Sequence, residues 1–417
     1  MNDNDKNEFN LYSENIVPTI GMKYKKVFRA IKVIALALLC AAVAGAVCGV
    51  VISLVNNAIS PKKEDATKPQ IVFKPDNIVE EPTEDVIGDT EIPTAPPSES
   101  EYEKYLSNLN NIAKRSYTSM VTVASVTTTE DIFNSVVENE KISMGVMIFS
   151  DETQIYILTQ YSTVRAASHI RIEFNNGNTC FAQLVGKDVD TDIAIVKINI
   201  SDLTEQTYRT LKIAELGNSN QLYTGVPVIA VGNVAGTNFT MNHGIIKNFD
   251  RNYYCWDAKY MIINTNIYVT EGSFGVLLNT NGQVCGVIST KYSEDSHVLN
   301  AYAISNIKLL LQHISNGNDV ISLGIMGNEV DNILSNKYSI PKGIYITMFK
   351  NNSPAFMAGL RNGDIIVGAD GKDILKCEEL QNILYSHKPG DVIKLKINRK
   401  ANNSYKTLEI SVTLGVQ

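Results

Sequence analysis

Side chains able to do chemistry are few and scattered in this chain. Six cysteines stand at 40, 48, 180, 255, 285 and 377, and no two form a CxxC pair. Thiolate zinc sites need ligands paired at short spacing, so no metal is predicted. Six cysteines in 417 residues are also too few for a disulfide scaffold. The candidates for proton transfer near neutral pH are five histidines: His169, His243, His297, His313 and His387. His169 opens the run HIRIEF, where Ile170, Ile172 and Phe174 share one face and His169, Arg171 and Glu173 the solvent face. No pattern calls for a cofactor.

Charge excludes one class of partner and suggests another. With 37 basic and 44 acidic residues the net charge is −7, which argues against nucleic acid as a partner. The acidity is local: residues 64–103 hold twelve acids against Lys68 and Lys74. Residues 33–55 carry no charge and consist mostly of Leu, Ile, Val and Ala. About 20 such residues cross a hydrocarbon core of roughly 30 Å, so this run predicts a transmembrane helix. A cleaved signal would have a shorter apolar region nearer the terminus. Lys23, Lys25, Lys26, Arg29 and Lys32 flank its N-terminal side, which places the tail 1–32 in the cytoplasm and the rest beyond the membrane. Ala41, Gly45 and Gly49 offer a small-residue face on which two such helices could meet.

Residues 56–100 contain seven of the twelve prolines among acids and threonines, and predict an extended, unfolded linker. Ser100 and Glu103 fit a capping box, and Tyr102, Leu106, Leu109 and Ala113 recur at helical spacing behind it. After residue 117 the pattern turns to short β-rich runs: 120–126, 145–149, 155–159, 169–174, 193–198, 227–231, 276–279 and 284–289. Most are punctuated by Gly, Asn, Asp or Thr, which predicts a barrel or sandwich. From 323 onward, SPAFMAGL (353–360) leads to GDII (363–366). There Pro354 can open a short helix, Gly359 can close it, and Gly363–Asp364 can turn into a strand.

These blocks carry a resemblance. ILTQYSTV (157–164), DVDTDIAIVK (188–197), VGNVAGTNFTMNHGII (231–246), EGSFGV (271–276) and NAYAISNIKLLL (300–311) resemble, in order and spacing, the HtrA/DegP-type trypsin-like serine proteases. The C-terminal region resembles the PDZ domain that follows the barrels in that family. The resemblance implies a mainly β chain, with a trypsin-like double β-barrel over 101–316 and an α+β PDZ domain over 317–417. By the family's D-x-x-T-D-L-A-V-L-K pattern, Asp192 takes the triad aspartate position. By its GNSGGP pattern, Ser273 takes the nucleophile position. Glu271 and Gly272 lie in the oxyanion loop, where Glu271 replaces a glycine, Phe274 replaces the glycine after the serine and Val276 replaces the proline. At the histidine position the chain has Ser162. A hydroxyl cannot take a proton at neutral pH as an imidazole does. Leu323, Gly324 and Ile325 fall on the PDZ carboxylate loop and edge strand, with a helix near 379–384 as the other groove wall.

Two functions of different class follow. The leading expectation is a membrane-anchored, catalytically impaired HtrA-like protein on the outer side of a bacterial cell membrane. It would bind unfolded polypeptides and, through the PDZ domain, C-terminal peptides. The alternative is an active serine endopeptidase of envelope quality control with Ser273 as nucleophile. A homo-trimer is the oligomer the family resemblance implies.

Overall fold

Successive side chains along these strands point to opposite faces. Where both faces are covered, the two sets enter different cores. In the strand Ile193–Asn199, Ala194, Val196 and Ile198 fill the inside of one barrel, while Ile193 and Ile195 pack outward into a seam shared with a second barrel. In Pro227–Asn233, Val228 and Ala230 fill the second barrel and Ile229 and Val231 join the same seam.

Residues 70–77, 99–130, 136–289, 297–402 and 404–417 are described here, from a computed structural model. The predicted membrane segment 33–55 and its flanking charges lie outside them. No helix among the described residues is long and apolar enough to cross a membrane.

The first barrel closes through β1 (Met120–Glu130), β2 (Val136–Ser150), β3 (Gln154–Gln160), β4 (His169–Glu173), β5 (Thr179–Asp188) and β6 (Ile193–Asn199), in the order β1-β2-β3-β6-β5-β4. The second closes through β7 (Pro227–Asn233), β8 (Thr240–Cys255), β9 (Ala258–Tyr268), β10 (Phe274–Leu278), β11 (Val284–Ser289) and β12 (Val298–Ala303), in the order β10-β11-β12-β9-β8-β7. Two helices cover the seam. Helix α1 (Glu99–Ser116) begins one residue before the predicted Ser100 and buries Leu109, Ile112 and Ala113 there. A one-turn helix α2 (Tyr161–Val164) follows β3. Helix α3 (Ile304–Ser315) adds Ile304, Ile307, Leu310, Leu311 and Ile314 to the seam.

Within the stretch expected to be an unfolded linker, residues 71–76 are docked on α3. Ile71 is buried, and its N–H donates to Asn316 Oδ1 at 2.9 Å. Lys308 Nζ pairs with Asp76 at 2.7 Å with both side chains largely covered. That part of the linker is extended but anchored. Composition could not show this, because the anchoring partners lie more than 230 residues away.

The last unit starts with β13 (Ile321–Ser322), which pairs with the final strand β20 (Gly415–Val416). Its sheet runs β14 (Ile325–Val330), β15 (Gly343–Phe349), β16 (Ile365–Ala369), β18 (Val392–Ala401), β19 (Ser404–Thr413), with β17 (Lys372–Asp373) on β16. Strand β14 is an edge of this sheet. Helix α4 (Cys377–Leu384) buries Cys377, Leu380, Ile383 and Leu384 against it.

Candidate active site

Ser162 is placed by the end of β3. It sits in the first turn of α2, where backbone N–H groups lack helical partners. Its N–H donates to Asp192 Oδ1 at 2.7 Å and its hydroxyl donates to Asp192 Oδ2 at 2.8 Å. Gln160 Nε2 donates to the same Oδ2 at 3.0 Å. The carboxylate thus binds the residue expected at the histidine position, through a backbone N–H and a hydroxyl.

Asp192 itself sits at φ 61°, a left-handed conformation that Asp tolerates better than most residues. The turn before it is pinned by Asp188, which accepts the N–H of Thr191 at 3.1 Å and also its hydroxyl. Burial pushes the Asp188 carboxyl above its ordinary range, against the pull of those donors.

Ser273 and Asp192 both line a cleft of about 70 Å³, together with Gln160, Thr191, Phe274 and Tyr302. The serine's donors, however, turn inward. Its hydroxyl donates to the Thr270 carbonyl at 2.6 Å, and its N–H donates to the same carbonyl at 3.2 Å. An oxyanion hole needs that amide aimed at the site where charge develops. Glu271 and Gly272 form the exposed turn between them, with Gly272 at φ 75°. Phe274, 4 % exposed, packs into the inter-barrel seam and forms part of the cleft wall.

The histidines have other surroundings. The His169 ring meets Phe181 edge-on at 5.6 Å. His243 lies on β8. The His297 carbonyl accepts the Val269 N–H at 2.8 Å. His313 bonds the Asp319 carbonyl through Nε2 at 2.8 Å, and His387 pairs with Asp370 at 2.9 Å. Cys180, Cys255, Cys285 and Cys377 are free and buried, and no cluster that could hold a metal occurs among the described residues.

At the third predicted location, the N–H groups of Leu323, Gly324 and Ile325 converge on one carboxylate. It belongs to Asp257, in the two-residue turn between β8 and β9. Sequence reasoning missed Asp257. The only local signal was a two-residue gap, Trp256–Asp257, between two stretches that can pair as a hairpin.

Comparison with known proteins agrees with this architecture. Residues 143–287 match the trypsin-like peptidase domain and residues 322–412 match the PDZ domain. The chain is 30% identical over 287 residues to a serine protease Do-like HtrA of Bacillus subtilis, covering 64% of this chain and 62% of that protein. It is 33% identical over 267 residues to a probable periplasmic serine endoprotease DegP-like of Chlamydia trachomatis, covering 62% of this chain and 51% of the relative. It therefore spans less than two thirds of the length of these relatives. The solved HtrA-type protease AlgW with decapeptide shares the fold, with a TM-score of 0.52 at 21% identity over 74% of this chain and 98% of that one. The chain thus joins an HtrA/DegP-like trypsin-like peptidase domain to a PDZ domain.

Proposed function

We propose that this chain holds polypeptides without cutting them: an HtrA-like protein with an impaired triad, anchored by residues 33–55 and displayed on the outer side of a bacterial membrane. The observation that carries this reading is the Ser162–Asp192 pair. Both the N–H and the hydroxyl of Ser162 bind the carboxylate that would orient a histidine. No group at that position can take the Ser273 proton. Loss of one triad member typically lowers turnover on the order of 10⁶-fold. The inward-turned Ser273 amide removes an oxyanion donor as well.

Binding falls to the PDZ domain, which takes C-terminal peptides by capturing the carboxylate on loop amides and adding the strand to a sheet edge. Supporting this reading, β14 is an edge of its sheet and helix α4 packs in the same unit. Clients are unfolded or C-terminally exposed polypeptides, and assembly as a homo-trimer belongs to the same reading.

A second reading, an active endopeptidase with Ser273 as nucleophile, is favoured by one observation: Ser273 and Asp192 share a cleft. Incubation with casein separates the two. The binder retains casein on the immobilised full chain with no fragments released. An enzyme yields fragments that vanish in Ser273→Ala.

A further inference from the structure

The carboxylate site of the PDZ domain is already filled from within the chain. Asp257 Oδ2 accepts the N–H of Leu323 at 3.0 Å, the N–H of Gly324 at 2.9 Å and the hydroxyl of Ser322 at 2.7 Å. Its Oδ1 accepts the N–H of Ile325 at 3.0 Å. The Asp257 N–H donates to the Ile325 carbonyl at 2.8 Å, as the last residue of an added strand would. Gly324, at φ 70°, gives the loop its shape, since a Cβ there would stand 2.5 Å from the Ser353 Cβ. Asp257 is 8 % exposed.

The hairpin that carries it also covers the groove beyond the loop. The Tyr254 hydroxyl accepts the N–H of Glu329 on the edge strand β14 at 3.3 Å, and Lys259 Nζ pairs with Glu329 at 2.7 Å. The Gln381 amide of α4 donates to the Tyr260 hydroxyl at 3.1 Å. Residues from β8, the turn and β9 therefore meet the loop, the edge strand and the facing helix, which are the three walls a peptide would use.

We propose that the β8–β9 hairpin acts as an internal ligand of the PDZ groove, with the Asp257 side chain standing in for a peptide C-terminus, so that a C-terminal peptide binds only by displacing it. This rests on the reading of the C-terminal unit as a binder of carboxylate-terminated peptides. A site competent for only a fraction of the time weakens apparent affinity by that fraction. Removing the plug therefore strengthens peptide binding rather than weakening it.

The test uses the full chain and an array of decapeptides ending in each of the twenty residues, each with a free or an amidated C-terminus. Asp257→Ala is expected to bind its best free-carboxylate peptides about ten-fold or more tighter than the natural chain, with amidated peptides unbound. Hydrogen exchange at Leu323, Gly324 and Ile325 provides the second readout. These amides are protected in the natural chain, exposed in Asp257→Ala and protected again when the free-carboxylate peptide is added. Asp257→Asn, which keeps the shape and loses the charge, is expected to lie between. Equal affinity for the same peptides in natural chain and variant overturns the plug and leaves peptide capture standing. No carboxylate-dependent binding in any variant, with the exposed amides never protected again, overturns both.

Discussion

Ser162, which the proposed reading sets where the family has an imidazole, does not leave a gap. Ser162 satisfies both oxygens of Asp192, so the carboxylate keeps a structural task as the acceptor that ties α2 to the turn after β5. Restoring the imidazole alone is expected not to restore turnover, because the Ser273 N–H and hydroxyl both serve the Thr270 carbonyl and a phenylalanine follows. Ser162→His should leave fluorogenic peptides intact at the rate of the buffer blank. Hydrolysis above that blank would show that the 270–273 turn opens under substrate and that the missing ring was the only defect. Ser162, Asp192 and Ser273 could be singled out in the sequence because each sits in a motif of fixed spacing, and the structure bonds Ser162 to Asp192 and sets Asp192 and Ser273 on one cleft. What the hydroxyls bond to was not, since Thr270 enters through the conformation of a turn in which Gly272 adopts φ 75°.

At the scale of elements, most runs rich in Val and Ile announced themselves as strands, whereas β5, β9 and β12 were not singled out and β8 carried the weakest signal. Its sequence TMNHGIIKNFDRNYYC mixes Asn, Asp, Arg and Lys with apolar residues, and most of the strand is exposed or half-buried, so no period-two signal survives. Pairing with β7 and β9 makes it a strand. The element that places Ser273 is β10, which approaches β7 closely through a Gly232–Gly275 pair. A Cβ on Gly275 would stand 2.2 Å from the Val231 carbonyl oxygen. Gly275→Ala must push the strands apart just after the serine, at a cost on the order of 2 kcal/mol. Thermal denaturation should show a clearly lowered midpoint; an unchanged midpoint would mean that β7 and β10 do not approach as described.

Across the whole molecule, the barrels and the PDZ unit meet through polar side chains that no local pattern revealed. Lys350 of the PDZ unit pairs with Asp190 at 3.0 Å, two residues before Asp192. The His313 ring stacks on Tyr385 with centroids 4.1 Å apart. Burial lowers the His313 pKa below its ordinary 6.5, against the Asp319 carbonyl. The unfolded chain then binds the proton more readily than the folded one. Stability from this group is present in full above about pH 6.5 and is lost as the pH falls toward the lowered folded value. Melting between pH 7.5 and 5.5 should therefore fall more steeply in the natural chain than in His313→Gln. Equal slopes would remove His313 from the junction's pH response. The central claim, a scaffold that binds but does not cut, is tested most directly by fluorophosphonate labelling of the full chain, read by the mass of the peptide that contains Ser273. The account predicts no adduct at Ser273; a stoichiometric adduct there, absent in Ser273→Ala, would contradict it.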